Sequence, residues 1–234
     1  ENDIVFTFAI SKLKLSFSKF DIDSLLAIVD LSGLRLVDPD VVHDMLFTSQ
    51  EDEDDVLYRS DFDECVRTIV SEDSLDYVER EQLSQVFAEI FQFFSKKARV
   101  ASRTEVAIGM SFLCNGSKSR KLELAFDTLD QDDDGKLNSE ELCTYIQCFL
   151  TSLSMFSGTV VGLEDEEIRI LIRAASEDLR DLILEDLGLD DEDDDGVFVS
   201  FEMFGGWYTN GGFKVAPWLE LLDLRKWEHS DDCE

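Results

Sequence analysis

Apolar residues recur at helical spacing through most of this chain. Leu122, Ala125, Phe126 and Leu129 fall on one face of a helix, and Leu142, Tyr145, Ile146 and Phe149 on one face of the next. Leu83, Val86, Phe87 and Ile90 predict another, followed by a helix carrying Val106, Met110 and Leu113; Phe62, Cys65, Val66 and Ile69 predict one more. A long helix is expected from about 164 to 187, after the loop "MFSGTVVGLEDEE". Met203, Phe204 and Trp207 mark a last helix that "TNGG" ends. Upstream, "FDIDSLLAIVDLSG" reads as a helix with Asp21 as N-cap and Gly33 just past its end, and "DPDVVHDMLFTS" as a second with Pro39 in its first turn. The pattern predicts an all-α fold.

Two end segments break the rhythm. "SKLKLSFSKF" alternates with period two, setting Leu13, Leu15 and Phe17 against Lys12, Lys14, Ser16 and Ser18, so it predicts an extended strand or arm. Such an arm either packs on its own domain or lies in a hydrophobic groove in a target's place. "APWLELLDLRKWE" predicts a helix starting at Pro217 with Trp218, Leu221 and Leu222 on one face. It either covers the chain's own groove or serves as a linear partner-binding segment.

Composition narrows the picture. The 234 residues are 44% apolar with 18 Phe, which supports a packed core, and only two prolines interrupt it. Acidic residues number 53 against 21 basic, a net charge of −32. That field repels nucleic acid and anionic lipid and attracts cations and basic peptides. Five cysteines without a Cys-x-x-Cys pair predict buried thiols in a reducing, intracellular setting, the cytoplasm or else an organelle. No apolar run approaches the ~18 residues of a membrane span. The sequence begins at Glu1, so a leader or acylation signal would lie outside it. His43 and His229 are the only histidines, and no nucleophile pattern, Gly-rich phosphate loop or zinc spacing accompanies them. The chain therefore does not read as an enzyme.

The acidic runs are spaced for a hard cation. Calcium takes about six to eight oxygens, and a twelve-residue loop supplies them from positions 1, 3, 5, 7, 9 and 12 with a glycine turn at 6. Counting from Asp130 places Asp130, Asp132 and Asp134 at 1, 3 and 5, Gly135 at 6, the Lys136 carbonyl at 7, Asn138 at 9 and Glu141 at 12. Leu137, at 8, can join a short strand with a partner loop. The stretch "DEDDDGVFVSFE" repeats the pattern: Asp191, Asp193 and Asp195, then Gly196, the Val197 carbonyl, Phe198 as the apolar position 8, and Glu202 at 12. Val199 at position 9 lacks a side-chain oxygen, so water serves there.

These two loops resemble those of the EF-hand superfamily, whose units come in pairs. A degenerate loop, Gln50–Asp61, has Leu57 at position 8 but Asp55 in place of glycine and the shorter Asp61 at 12. A fourth, within 91–105, has Val100 near position 8 and offers basic residues where carboxylates would stand. With the junction "CNGSKSRKLELAFDTLD", the order is similar to the calcineurin B, neuronal calcium sensor and calcineurin B-like group. The resemblance implies an arm at 1–19, an N-terminal lobe at 20–114, a C-terminal lobe at 118–215 holding both complete loops, and a C-terminal helix and tail at 216–234. It implies two Ca2+ ions, with Mg2+ as a competitor, and a sensor that docks a partner's basic amphipathic helix in a hydrophobic groove. A calcium buffer or structural calcium protein that hardly opens is the alternative.

Overall fold

The computed structural model describes residues 3–48, 55–70, 75–97, 100–160, 163–189 and 196–227. Within them the chain is mostly helical, with small antiparallel strand pairs between helices. The first pair joins β1 (Ile4–Thr7) to β2 (Lys14–Phe17), setting Phe6 opposite Leu15. The alternating stretch is thus a strand that packs on its own domain: Leu13, Leu15 and Phe17 are buried and the lysines exposed.

α1 (Lys19–Ser32) follows. Its N-cap is Ser18, not Asp21: Ser18 Oγ accepts from the Asp21 N–H at 3.2 Å, and the Asp21 carboxylate accepts from the Ser18 N–H at 2.8 Å. This reciprocal box satisfies two helix-end donors, which Asp21 alone as N-cap could not do. α2 (Pro39–Thr48) begins at its proline, whose missing N–H costs nothing there.

β3 (Val56–Tyr58) runs into α3 (Arg59–Ile69). α4 (Tyr77–Phe94) runs through β4 (Ser95–Lys97) and β5 (Val100–Ser102) into α5 (Arg103–Ser111). These strands form one sheet in the order β3-β5-β4. Leu57 pairs with Ala101, one residue beyond the expected Val100, because Ala101 is the buried residue of β5 and Val100 is partly exposed. Asp55, standing where the loop pattern wants glycine, ties this pair down. Its carboxylate accepts from the Thr104 N–H at 2.8 Å and from Ser102 Oγ at 2.5 Å, at the N-terminus of α5.

The downstream half repeats the plan with α6 (Lys118–Leu129), β6 (Lys136–Asn138), α7 (Ser139–Met155), α8 (Asp165–Leu187), β7 (Phe198–Ser200) and α9 (Phe201–Thr209). α5 is buried along its length and packs against α2, α6 and α7, so one continuous apolar cluster runs from Leu13 to Trp227. Among the described residues no helix is long and apolar enough to cross a membrane.

Among the described residues the C-terminal segment is not an α-helix. It forms 3-10 turns at Pro217–Leu222 and Leu224–Lys226, with Asp223 extended between them and capping Arg225. Trp218, Leu219, Leu221 and Leu222 are all buried, and an α-helix with one apolar face cannot bury such a run. Trp227 ends the segment with its ring edge-on to Phe17 at 5.0 Å, and its Nε1–H donates to the Leu221 carbonyl at 2.6 Å.

Candidate metal centre

The apolar stripe of α6 (Leu122, Ala125, Phe126, Leu129) is buried, and Tyr145 Oη, from α7, donates to the Leu122 carbonyl at 3.1 Å. These contacts fix where α6 ends, at the Asp130 N–H bonded to the Phe126 carbonyl at 3.0 Å. The chain then turns through two left-handed residues, Asp133 at φ 55° and Gly135 at φ 77°. This curls the backbone amides inward. Asp130 accepts from the Asp134 N–H at 3.1 Å and the Gly135 N–H at 2.8 Å, and Asp134 accepts from the Lys136 N–H at 2.8 Å.

The result gathers like charges. One carboxylate oxygen each of Asp130, Asp132 and Asp134 lies within 4.8 Å of the others. At about 4 Å in water two such charges repel by about 1 kcal/mol, and by more where solvent is excluded. The loop amides hold the Asp130 and Asp134 carboxylates in place against that repulsion. A set of hard, anionic oxygens with solvent access suits a divalent calcium or magnesium ion rather than a soft metal.

The other predicted ligands are placed differently. Lys136 lies in β6 opposite Ser200. Asn138 caps α7, its Oδ1 accepting from the N–H groups of Glu140 (2.9 Å) and Glu141 (3.0 Å). Glu141 is the third residue of α7 and not a member of the Asp cluster; its Oε2 accepts from the Asn138 N–H at 2.9 Å.

In the second loop, Asp191, Asp193 and Asp195 lie outside the described residues, as do Gln50, Asp52 and Asp54 of the upstream loop. From Gly196 onward a difference emerges. Gly196 repeats the left-handed turn of Gly135, at φ 78°, but Leu137 pairs with Val199, not with the expected Phe198. Val199 is fully buried and Phe198 is 39% exposed, so burial of the β-branched residue decides the register. The downstream loop therefore carries one more residue between its glycine and its paired position than the upstream one. Val197 is buried just before β7. Ser200 becomes the N-cap, accepting from the Met203 N–H at 3.2 Å. Met203, not Glu202, occupies the place Glu141 holds in α7; Glu202 is the second residue of α9 and exposed. Glu202 stands six residues beyond Gly196, as Glu141 does beyond Gly135, so it keeps its place in the loop pattern while its place in the helix differs.

Beneath the loops lies an aromatic cluster. Tyr145 meets Phe149 and Phe204 edge-on, each at 5.3 Å, and Phe126 meets Phe201 at 5.5 Å, so α6, α7 and α9 share one apolar seam. Trp207 Nε1–H, from α9, donates to Asp186 at 2.8 Å, linking α9 to α8.

Pattern reading missed Lys121. It is buried on α6, and its Nζ donates to the carbonyls of Phe112 (2.8 Å) and Leu222 (2.9 Å). Burial pushes its pKa down to about 8. A signal existed: Lys121 precedes Leu124 and Ala125 by three and four residues, so it shares their buried face. Cys65, Cys114 and Cys148 are buried free thiols; burial pushes Cys65 up to about 11 and Cys114 up to about 12, which suits core filling rather than reactivity.

The chain matches no protein-family model, no curated protein and no solved structure.

Proposed function

We propose that this chain is a calcium-binding protein of EF-hand type, in which loop 130–141 is the principal site and a partner protein reads the resulting change in helix arrangement. The observation that carries this reading is the convergence of Asp130, Asp132 and Asp134 at the positions the loop pattern assigns to ligands 1, 3 and 5. On this reading the four helix–loop–helix units pair as two lobes, through Leu57 with Ala101 and Leu137 with Val199.

Calcium supplies a hard dication that takes about six to eight oxygens. The chain's part is to present the Asp triad already gathered and to bring the position-12 ligand, Glu141, from the first turn of α7. Glu141 sits in a capping box, so reaching the cluster requires the start of α7 to shift. Tyr145 and Phe149 lie one and two turns further along that helix, and their edge contacts carry the shift to Phe204 on α9. An opened seam would offer Phe and Leu side chains to a basic amphipathic helix, which the −32 net charge attracts.

The second loop binds more weakly in this reading. Glu202 stands one residue short of Glu141's place, and one residue turns a side chain by about 100° around a helix. In the upstream pair, Asp55 is committed to the α5 N-terminus and Asp61 is shorter than glutamate, so loop 50–61 keeps the fold without holding an ion.

Calorimetric titration tests the assignment. Glu141→Gln should abolish the tightest calcium-binding event, and Glu202→Gln should leave it in place. A Glu141→Gln protein that binds calcium as the parent does would refute the site. Hydrophobic-dye fluorescence tests the sensor half: calcium should raise it severalfold, whereas an unchanged signal identifies a buffer.

A further inference from the structure

Among the described residues, the groove between α3 and α4 is lined by three arginines and one carboxylate in an otherwise acidic molecule. It encloses about 210 Å³ and presents Arg59, Arg67 and Arg80 around a floor that includes Val70, Leu83 and Phe87. The floor residues are buried. Asp63 is the one carboxylate among the described residues that line it, and Arg59 Nε already holds it at 2.7 Å. Among the described residues that line the groove, Arg67 and Arg80 therefore face an apolar surface without a carboxylate partner, in a chain with 53 acidic and 21 basic residues.

The guanidinium groups are anchored. Arg59 also donates from Nη1 to the Ala88 carbonyl at 3.4 Å and lies over the Phe91 ring, 5.5 Å from its centroid. Arg67 Nε donates to the Asp63 carbonyl and Arg80 Nε to the Leu75 carbonyl, each at 3.0 Å. Among the described residues the Nη nitrogens of Arg67 and Arg80 have no hydrogen-bond partner. An arginine fixed through Nε with its Nη fork unspent is arranged for a planar oxyanion. The volume equals roughly seven waters at about 30 Å³ each, the size of a ring or a short alkyl chain.

We propose that this groove binds a small amphipathic carboxylate, its oxygens taken by the Arg67 and Arg80 forks and its apolar body laid on the Val70–Leu83–Phe87 floor. The three arginines of the described lining disfavour a basic peptide, and a fully hydrated anion such as phosphate leaves the floor unused. The site is independent of the cation loop, so neither proposal fails with the other.

Octanoate titrated into the full chain, with octanol and inorganic phosphate as separate arms, tests it by calorimetry. Octanoate should bind saturably at one site, and octanol and phosphate at least about tenfold more weakly. Arg67→Gln with Arg80→Gln should weaken octanoate by at least about tenfold, while Lys12→Gln with Lys14→Gln, an equivalent charge loss elsewhere, should not. Both arginines are exposed, so the double variant keeps its fold, which circular dichroism checks. The proposal is overturned if octanoate shows no saturable binding, if octanol or phosphate binds as tightly as octanoate, or if the double variant binds octanoate as the parent does.

Discussion

At the scale of single residues, loop 130–141 depends on a backbone choice as much as on its carboxylates. Gly135 holds φ 77°, and a Cβ placed there would meet no atom within 4 Å. Gly135→Ala therefore isolates the left-handed strain from any clash. It should cost about 1–2 kcal/mol of stability, measured by urea unfolding without calcium. It should also weaken calcium binding, because the Gly135 N–H is one of the donors that orient Asp130. Unchanged stability and affinity would mean that the turn does not position the triad. Asp133 holds φ 55° in the same turn with a side chain, which fits the tolerance of Asp for this region.

At the scale of elements, the strand register separates what spacing can tell from what it cannot. Val199→Ala removes buried methyl groups opposite Leu137 and should cost about 2 kcal/mol, whereas Phe198→Ala, at a partly exposed site, should cost less than about 1 kcal/mol. The reverse order in thermal unfolding would restore Phe198 as the paired residue. The helices themselves were legible, since Leu122, Ala125, Phe126 and Leu129 obey a 3.6 period and are all buried. So was the upstream Asp triad, because ligand spacing is a local property of one loop. Register was not, because Phe198 and Val199 are adjacent, both apolar, and distinguished only by the strand that pairs with them. The same limit applies to α1, where Ser18 and Asp21 are both good caps and the reciprocal bonds choose between them. In the C-terminal segment, surfaces from distant parts of the chain bury residues on every side, and a one-faced helical pattern cannot foresee that.

At the scale of the whole molecule, the two ends close the core on each other. Phe8 approaches Trp218 at 6.3 Å, Phe17 and Phe112 both meet Trp227, and Lys121 binds the Leu222 carbonyl. Glu220 fastens this segment from outside, pairing with Lys118 of α6 and with Lys226, and accepting from Tyr208 Oη at 2.6 Å. Burial alone would raise its pKa, but the hydrogen bonds from Lys118, Lys226 and Tyr208 outweigh it and hold the carboxyl at about 2. A carboxylate held below its ordinary 4.5 stabilises the folded state fully above that pH, and the contribution is lost as pH falls from 4.5 towards 2. The acidic surface works in the opposite direction, since protonating many carboxylates relieves the self-repulsion of a −32 chain. Comparison with Glu220→Gln separates the two, because the variant keeps the surface and loses the titrating anchor. Trp218 and Trp227 are both buried in the segment, so tryptophan emission reports its release. The parent should shift to longer wavelength with a midpoint between pH 4.5 and 2, and Glu220→Gln should show part of that shift already at neutral pH, with little further change across the window. Superimposable acid titrations would show that Glu220 does not hold the C-terminal segment, and that the aromatic packing against Phe8, Phe17 and Phe112 suffices.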